Sequence, residues 1–192
     1  MTSVASGTYT FTGSTGTQTI TSNSVTVGVN MTVNTAGSTV SLADNLVMDA
    51  ASVKRLGFAA GTFTANKDIT SAYFTDTASA SVKTITMGSG TWIAGSKSAG
   101  TNVAWGFLVG SNTTINANTS TIKLTDSTAT DKLFQGAGYT YNNVWFSGTG
   151  SGAYLVSGSS TFNYFKIDQD LTVKPAAGTT QRIAPTFGKA PT

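Results

Sequence analysis

Aspartates are the residues of this sequence best suited to acid–base or metal chemistry, since all eight of its acidic residues are Asp. Several of them, together with one lysine, follow alternating apolar stretches at comparable places. This series comprises Asp44, Asp68, Lys97, Asp126, Asp168 and Asp170. Such a row of carboxylates could bind Ca²⁺ or cleave a polysaccharide, because glycosidases use two carboxyl groups roughly 5–10 Å apart. Asp is also a common turn residue at strand ends. We favour the turn interpretation and predict no catalytic residue and no metal site.

The absent residue types exclude several chemistries. The 192-residue chain has no Cys and no His, so it has no disulfide, no Cys nucleophile and no His general base. Its net charge of +3 comes from 11 cations against eight anions, and no basic cluster exceeds the pair Lys54-Arg55. We therefore expect no nucleic-acid partner and no cofactor. No stretch approaches the roughly 20 apolar residues of a membrane span, and the first residues lack the pattern of a signal peptide.

An aromatic residue flanked by lysines marks a candidate ligand-binding or interface site. Trp145 is expected to face outward, with Lys123 and Lys166 at equivalent places in neighbouring repeats. Tyr164 and Asn143 should project nearby. Three interpretations stay open: Trp145 lies at a subunit interface, where Trp is enriched; it forms a platform for a sugar ring; or it packs against the lysines through cation–π contacts.

Thr-x-Thr triplets raise a different surface chemistry, because some ice-binding solenoids present flat threonine faces. The triplets occur at Thr10/Thr12, Thr62/Thr64 and Thr84/Thr86. The repeat alignment described next gives one outward series, which reads Thr10, Ser41, Thr64, Ile93, Lys123, Trp145 and Lys166. Since Ile, Lys and Trp interrupt this series, the sequence argues against a flat threonine face.

These assignments depend on an internal repeat. The segments "GYTYNNVWFSG" (138–148) and "GSSTFNYFKID" (158–168) contain similar triplets, residues 140–142 and 161–163, at an interval of 21 residues. Looser relatives begin at residues 7, 37, 61, 90, 119 and 177. Alternation of apolar and polar residues indicates strands, and recurrence at this interval indicates a solenoid in which each repeat is one coil. The residues expected to face inward are Tyr9, Phe11, Val40, Leu42, Phe63, Ala65, Trp92, Ala94, Ile122, Leu124, Val144, Phe146, Phe165 and Ile167.

The predicted fold is all-β: a single-stranded parallel β-helix of about eight irregular coils over residues 1–183, right-handed by the rule for parallel crossovers. Strand spacing of ~4.8 Å would make a rod of roughly 40 Å. Residues 184–192 are expected to form a C-terminal cap or tail, because Pro175, Pro185 and Pro191 cannot donate to a ladder. The alternative is an antiparallel β-sandwich or jelly roll, which also has short, regularly spaced strands.

Two local features qualify this picture. The repeat pleat places Asn142 and Asn163 inward at equivalent positions, where stacked amides could hydrogen-bond as a structural ladder; two unrelated turn residues are the alternative. The segment "DAASVKRLG" (49–57) begins with a good N-cap residue and ends with a good C′ residue. These end signals are compatible with a short helix there.

The repeat style "G-x-T-[YF]-N-x-[VF]" over residues 119–183 resembles the β-helical repeats of bacteriophage virion proteins, such as tail and head fibres. It is also similar to segments of large bacterial adhesins of pectin-lyase-like shape. The resemblance covers the first half of the chain only loosely and carries no family active site.

What the resemblance implies is an extracellular, rod-like structural or receptor-binding module, often trimeric in phage. We expect a non-enzymatic virion structural protein (a fibre, spike or capsid decoration) whose partners are other virion proteins, copies of itself and host-surface polysaccharide. The absence of a signal peptide favours the phage setting over a secreted adhesin, unless the chain is an excised fragment of a longer protein. The alternatives are a polysaccharide-cleaving spike that uses the Asp series and a glycan-binding fragment of an adhesin.

Overall fold

The computed structural model describes residues 7–78, 80–108, 110, 112–168 and 170–184. This part of the chain contains strands and no helix, so none of its segments is a helix that could cross a membrane. In chain order the strands are β1 (Thr8–Phe11), β2 (Thr17–Ile20), β3 (Asn30–Leu42), β4 (Leu46–Val47), β5 (Leu56–Thr64), β6 (Ile69–Ser71), β7 (Phe74–Asp76), β8 (Lys83–Thr86), β9 (Thr91–Ala94), β10 (Val103–Gly106), β11 (Thr113–Asn116), β12 (Thr121–Leu124), β13 (Lys132–Gln135), β14 (Thr140–Phe146), β15 (Tyr154–Ser157), β16 (Thr161–Ile167), β17 (Val173–Pro175) and β18 (Arg182–Ile183).

The strands stack as a β-solenoid with three walls. The first wall follows the order β1, β3, β5, β7, β10, β13, β15, β17, which gives eight turns. The second wall consists of β2, the last residues of β3 and of β5, β8 and β11. The third wall follows the order β4, β6, β9, β12, β14, β16, β18. The long strands β3 and β5 bend from the first wall into the second, which joins these two walls into one sheet.

Parallel pairing confirms the β-helix and shows that the antiparallel alternative is wrong. Each strand pair in the described residues is parallel, and neighbouring strands belong to successive turns. A turn takes 18 residues from Leu56 to Phe74 but 31 residues from Phe74 to Trp105. The extra residues lie in loops outside the ladders, which explains the irregular intervals of the repeat.

The predicted inward series mixes residues from all three walls. Tyr9 pairs with Met31 on the first wall, whereas Val40 pairs with Phe63 on the second. Trp92 pairs with Ile69 and Ile122 on the third wall, so its predicted neighbour Phe63 belongs to another ladder. From Trp92 onward the predicted register is correct residue by residue.

The end turns lack one neighbour, and their inward residues are less covered. Tyr9 is 58% exposed and Ile167 is 44% exposed, although both were expected to lie inside. Phe165 is only partly buried, because β18 extends the wall beyond β16 only at Thr161 and Phe162. The apolar alternation therefore predicts which side of a strand a residue occupies, but burial also requires a turn above and a turn below.

The segment 49–57 forms a turn and not the short helix that its end residues would allow. Asp49 does accept a hydrogen bond from the backbone of Ser52, as an N-cap would, at 3.0 Å. The chain then turns back through Val53, which has φ = 56°, and Lys54 N donates to Asp49 O. Val53, four residues after Asp49, has a left-handed backbone conformation, which an α-helix cannot contain. Leu56 then begins β5.

Pro175 lies inside the last strand of the first wall, although proline was expected to leave the sheet. Tyr154 N donates to Thr172 O and Ala176 N donates to Val156 O. In this parallel pattern the nitrogen of Pro175 points away from β15, toward the unpaired edge of the sheet. The missing N–H of proline therefore removes no hydrogen bond to β15. It also means that the unpaired edge offers one hydrogen-bond donor fewer to a further strand. The predicted cap falls on residues 184–192; of these, Pro185, Pro191 and the rest of 185–192 lie outside the described residues.

Aromatic side chains fill the interior and connect the three walls. Trp92 and Trp105 are fully buried with ring centroids 6.0 Å apart, and the Trp105 ring lies 5.9 Å from that of Tyr141. The indole N–H of Trp105 donates to the Tyr141 hydroxyl at 3.1 Å, which in turn donates to Gly136 O. The large rings thus bury their polar atoms with partners, as a close-packed interior requires.

Gly61 forms the corner at which β5 passes from the first wall to the second. Its φ of +87° lies in the left-handed region, and an added Cβ would lie 1.8 Å from Thr35 Oγ1 and 2.3 Å from Thr35 O. Both the backbone conformation and the close approach of the neighbouring turn therefore require glycine.

We expect Gly61→Ala to lower the free energy of unfolding by about 2–5 kcal/mol, because backbone strain and a steric overlap add. Gly16→Ala is the matched control: Gly16 has φ = +76° but no atom within 4 Å of an added Cβ. The control should lose only about 1 kcal/mol. Equal losses in chemical denaturation would contradict the role assigned to the Thr35 contact.

Candidate functional site

The outer face of the third wall carries the predicted aromatic site. Lys123 pairs with Trp145, and Trp145 pairs with Lys166, so the three side chains lie on three successive turns. Each lysine Nζ lies 3.8 Å from the centroid of the Trp145 ring. We call this arrangement the Lys–Trp–Lys stack. Because the indole has an ammonium close to its ring system from each neighbouring turn, the cation–π interpretation is the one that the geometry supports.

The edge of the Trp145 ring is also held in place. Its Nε1 donates to Asp168 Oδ1 at 2.9 Å, and Lys166 Nζ lies 3.4 Å from the same oxygen. These contacts leave Trp145 partly buried rather than exposed as expected. A sugar ring could stack on the indole only by displacing a lysine, so the stack presents ammonium groups more readily than an aromatic face.

Asn143 and Tyr164 lie beside the stack, as predicted. They pair with each other and occupy the outward positions two residues before Trp145 and Lys166. Asn143 Nδ2 donates to Thr121 Oγ1 at 3.1 Å, which ties the amide to the preceding turn. Within the described residues no hydrogen bond occupies the Tyr164 hydroxyl. The outer face therefore combines two ammonium groups with a free phenol and an amide oxygen.

The amides of Asn142 and Asn163 are hydrogen-bonded to each other, but they do not lie inside. Asn163 Nδ2 donates to Asn142 Oδ1 at 3.3 Å, and Asn142 Nδ2 donates to Ser120 O at 3.3 Å. Tyr141 and Val144 are both fully buried, so the two residues between them must both face away from the core. The pleat shifts by one residue at this bend, which is why simple alternation placed the amides on the wrong side.

The aspartate series divides between two corners of the solenoid. Asp44 and Asp68 follow strands of the second wall, whereas Lys97, Asp126 and Asp168 follow strands of the third wall. Asp170, with φ = 65°, lies exposed in the loop after β16. In the described residues no three acidic side chains come together as a metal site would require.

Asp44 and Asp68 accept backbone hydrogen bonds from neighbouring coils of the solenoid. Asp44 accepts from the backbone N–H groups of Ser22 and Asn23 at 2.8 and 2.7 Å, and the bond from Ser22 is the main cause of its lowered pKa. Asp68 accepts from the backbone of Thr91 in the next turn at 2.7 Å. These two carboxylates follow strand ends and have a structural role, because they link successive coils; they do not make the local backbone bond of a turn aspartate.

Asp126 forms an ion pair with Lys97 at the corner after the third wall. The Lys97 Nζ to Asp126 Oδ2 distance is 3.4 Å, and only 1% of the Asp126 side chain is exposed. Asp126 Oδ1 also accepts from the backbone of Thr128 at 2.7 Å. A carboxylate held by both an ammonium and a backbone amide is a structural element of the loop rather than a free acid or base.

Two buried lysines were missed by the sequence reasoning. Lys83 and Lys132 each begin a strand at an inward position, two residues before the buried Ile85 and Phe134. The alternation of apolar and polar residues could have revealed them, because it places both lysines on the inward side of a strand. A buried ammonium requires hydrogen-bond or charged partners within the core. Lys83 Nζ lies 3.2 Å from Asp76 Oδ1 and donates to Ala78 O and Ser81 O in the loop before β8.

Lys132 is held by loop carbonyls instead of a paired carboxylate. Its Nζ donates to Thr128 O at 2.5 Å and to Gly152 O at 3.4 Å, and it lies 5.2 Å from the centroid of the Tyr154 ring. Burial lowers the pKa of Lys132, while the charge of Asp126 opposes that shift. The ammonium thus acts as an internal cation that organises the loop between β12 and β13.

No protein-family model, no curated protein and no solved structure matches this chain. The resemblance to phage fibre repeats and adhesins therefore stays a prediction.

We expect Trp145→Ala to leave the fold intact and to lower the free energy of unfolding by about 1–2 kcal/mol, since it removes surface cation–π contacts and one hydrogen bond. Trp92→Ala is the matched control, because Trp92 faces inward on the same wall and is fully buried. Trp92→Ala should lower the free energy of unfolding by about 3–5 kcal/mol. Chemical denaturation of both variants measures the difference, and a loss at Trp145 as large as that at Trp92 would contradict the outward assignment.

We expect stability to fall as the pH rises above 10. Burial raises the pKa of the Tyr141 and Tyr154 hydroxyls above the ordinary value for tyrosine. The stability that the neutral hydroxyls provide is therefore complete below pH 10 and is lost progressively as the pH rises further. Each tyrosine contributes a slope of up to about 1.4 kcal/mol per pH unit. Tyr154→Phe should make the pH dependence of urea denaturation between pH 10 and 12 shallower. Parallel curves for the variant and the wild type would overturn this expectation.

Proposed function

We propose that this chain is a non-enzymatic structural component of a bacteriophage virion, such as a fibre, spike or capsid decoration, which contacts an acidic glycan on the host surface. The observation that carries the proposal is the Lys–Trp–Lys stack on the side of a parallel solenoid. Eight turns at ~4.8 Å give a rod of roughly 40 Å. Such a rod can hold a binding face at a fixed distance from the particle.

The charge of the stack favours an acidic glycan over a neutral one. Lys123 has no carboxylate partner among the described residues, and its ammonium lies 3.8 Å from the centroid of the Trp145 ring. Lys166 shares Asp168 with the indole N–H. Carboxylate or sulfate groups of a polysaccharide can therefore pair with Lys123 without breaking an existing ion pair, while the Tyr164 hydroxyl and the Asn143 amide offer hydrogen bonds to sugar hydroxyls.

The non-enzymatic part of the proposal is supported by the engagement of the aspartates. Asp44, Asp68 and Asp126 each accept backbone hydrogen bonds at turns, and Asp168 accepts from Trp145. A general acid or base must be within hydrogen-bond reach of its substrate, and these carboxylates are committed to the protein itself.

The proposed partners are other virion proteins and copies of the chain itself. Apolar side chains stand exposed in the first and last turns, among them Tyr9, Ile167 and Ile183. Exposed apolar groups of this kind are typical of contact surfaces. They support end-on contacts within an assembled, extracellular particle, with a homo-oligomer as the expected state.

Mass spectrometry across a density gradient of particles from the source culture tests the virion assignment. We expect the chain to band with intact virions, since a structural component is retained through purification. Recovery of the chain only with cells or in the soluble fraction would refute the proposal and would move the adhesin and enzyme alternatives forward.

Retention on an immobilised acidic polysaccharide tests the glycan contact separately. Lys123→Gln should reduce retention, whereas Lys174→Gln, which removes one exposed lysine from the first wall, should not. Equal loss in both variants would indicate a non-specific charge effect. Release of new reducing ends by the wild type would support the polysaccharide-cleaving spike instead.

A further inference from the structure

The second wall carries a regular array of hydroxyl groups that the repeat alignment had concealed. Its five strands contribute two outward residues each, and the pairing of neighbouring strands places them in two columns in unbroken register. The first column consists of Thr17, Thr39, Thr62, Thr84 and Thr114, and the second of Thr19, Ser41, Thr64, Thr86 and Asn116. The expected interruption by Ile93, Lys123 and Trp145 does not occur here, because those residues belong to the third wall.

The threonine array, as we call these ten positions, is uncharged and open for contact. Within the described residues no side-chain hydrogen bond occupies the hydroxyls of the first column. In the second column, Thr19 and Ser41 share a hydroxyl contact of 3.3 Å and Asn116 Nδ2 donates to Thr86 Oγ1. The end rungs Thr17 and Thr114 are exposed, while the middle rungs are partly covered by their neighbours in the ladder.

The geometry of the array is set before any ligand arrives. Parallel strands repeat every ~4.8 Å, and alternate residues along a strand repeat every ~6.7 Å, so the hydroxyls form a two-dimensional grid. Branching at Cβ restricts the χ1 angle of threonine. Val40, Phe63 and Ile85 lie beneath the grid and are at most 1% exposed, which anchors the strands to the core. Little conformational entropy is therefore lost on binding.

We infer that the threonine array binds the surface of ice. A grid that repeats in two dimensions is best complemented by a ligand that repeats in two dimensions, and the water lattice of ice does so without limit. Each threonine hydroxyl both donates and accepts, as lattice water does. The methyl groups between the hydroxyls contribute apolar contact. The ten positions contain no charged residue to recruit an ionic ligand and no aromatic ring to stack a sugar.

Many weak contacts at once make such binding effective. A single hydroxyl contributes only about 1 kcal/mol net, but one rigid face presents ten polar groups together. Once the hydroxyls of one strand have bound the ice lattice, those of the other strands bind as parts of the same molecule, with no further loss of translational freedom. This inference does not depend on the virion or glycan proposal, because the array and the Lys–Trp–Lys stack lie on different walls.

Ice growth in the presence of the purified full chain tests the inference. We expect the wild type to slow ice recrystallisation below 0 °C and to shape single ice crystals. Thr62→Tyr should abolish both effects, because a ring at the middle position of the first column holds the neighbouring hydroxyls away from the ice surface. Thr70→Tyr is the matched control, since Thr70 has the same residue type at an outward position of the third wall, and it should keep full activity.

Circular dichroism and thermal unfolding of each variant confirm that the fold is retained. If Thr62→Tyr does not fold, Thr114→Tyr replaces it, because the exposed end rung leaves room for the new ring, and it should weaken the activity. Wild-type protein without effect on ice, or Thr62→Tyr with wild-type activity, overturns the inference. Retention of the wild type on particulate cellulose or chitin, lost in Thr62→Tyr and without any effect on ice, would assign the array to a crystalline polysaccharide and would equally overturn it.

Discussion

The packing of aromatic rings between successive turns is the constraint on which this solenoid depends. A single coil cannot bury its apolar side, so each turn is stable only when rings such as Trp92, Trp105 and Tyr141 contact those of the turns beside it. The parallel ladders then follow, since the same contacts bring strand edges within hydrogen-bonding distance. Where a neighbouring turn is missing, as beside Tyr9 and Ile167, inward residues become exposed.

The corners allow one core to support walls of different chemistry. Gly61 bends β5 sharply enough that a single strand serves two walls, and the buried Lys83 and Lys132 close two of the loops from within. Because the corner glycine and the buried lysines hold the backbone from within, the outward residues of the two walls can differ in chemistry without changing the fold. The third wall presents ammonium groups around Trp145, while the second presents uncharged hydroxyls, and the two surfaces share no residue.

The candidate sites were predictable to different degrees. The order Lys123, Trp145, Lys166 was correctly placed, because from Trp92 to Ile167 the chain stays in one register on one wall. The cation–π contacts of both lysines with the indole depend on side-chain rotamers, and the hydrogen bond from the indole to Asp168 depends on a loop. Neither was predictable from the sequence. The amides of Asn142 and Asn163 were paired correctly but placed on the wrong side, because a bend shifts the pleat after Tyr141.

The sequence by itself determined a chain of short strands with alternating inward residues and no chemistry that requires His or Cys. It favoured stacked turns over an antiparallel sandwich without deciding between them. These properties depend on residue type and on spacing along a single strand, which are local. Only the tertiary structure decided which wall each strand joins, and therefore that Thr39, Thr62 and Thr84 align while Ile93 lies elsewhere. The physical reason is that loops of variable length separate the strands, so a distance along the chain does not specify which strands become neighbours; hydrogen bonding and core packing between turns do.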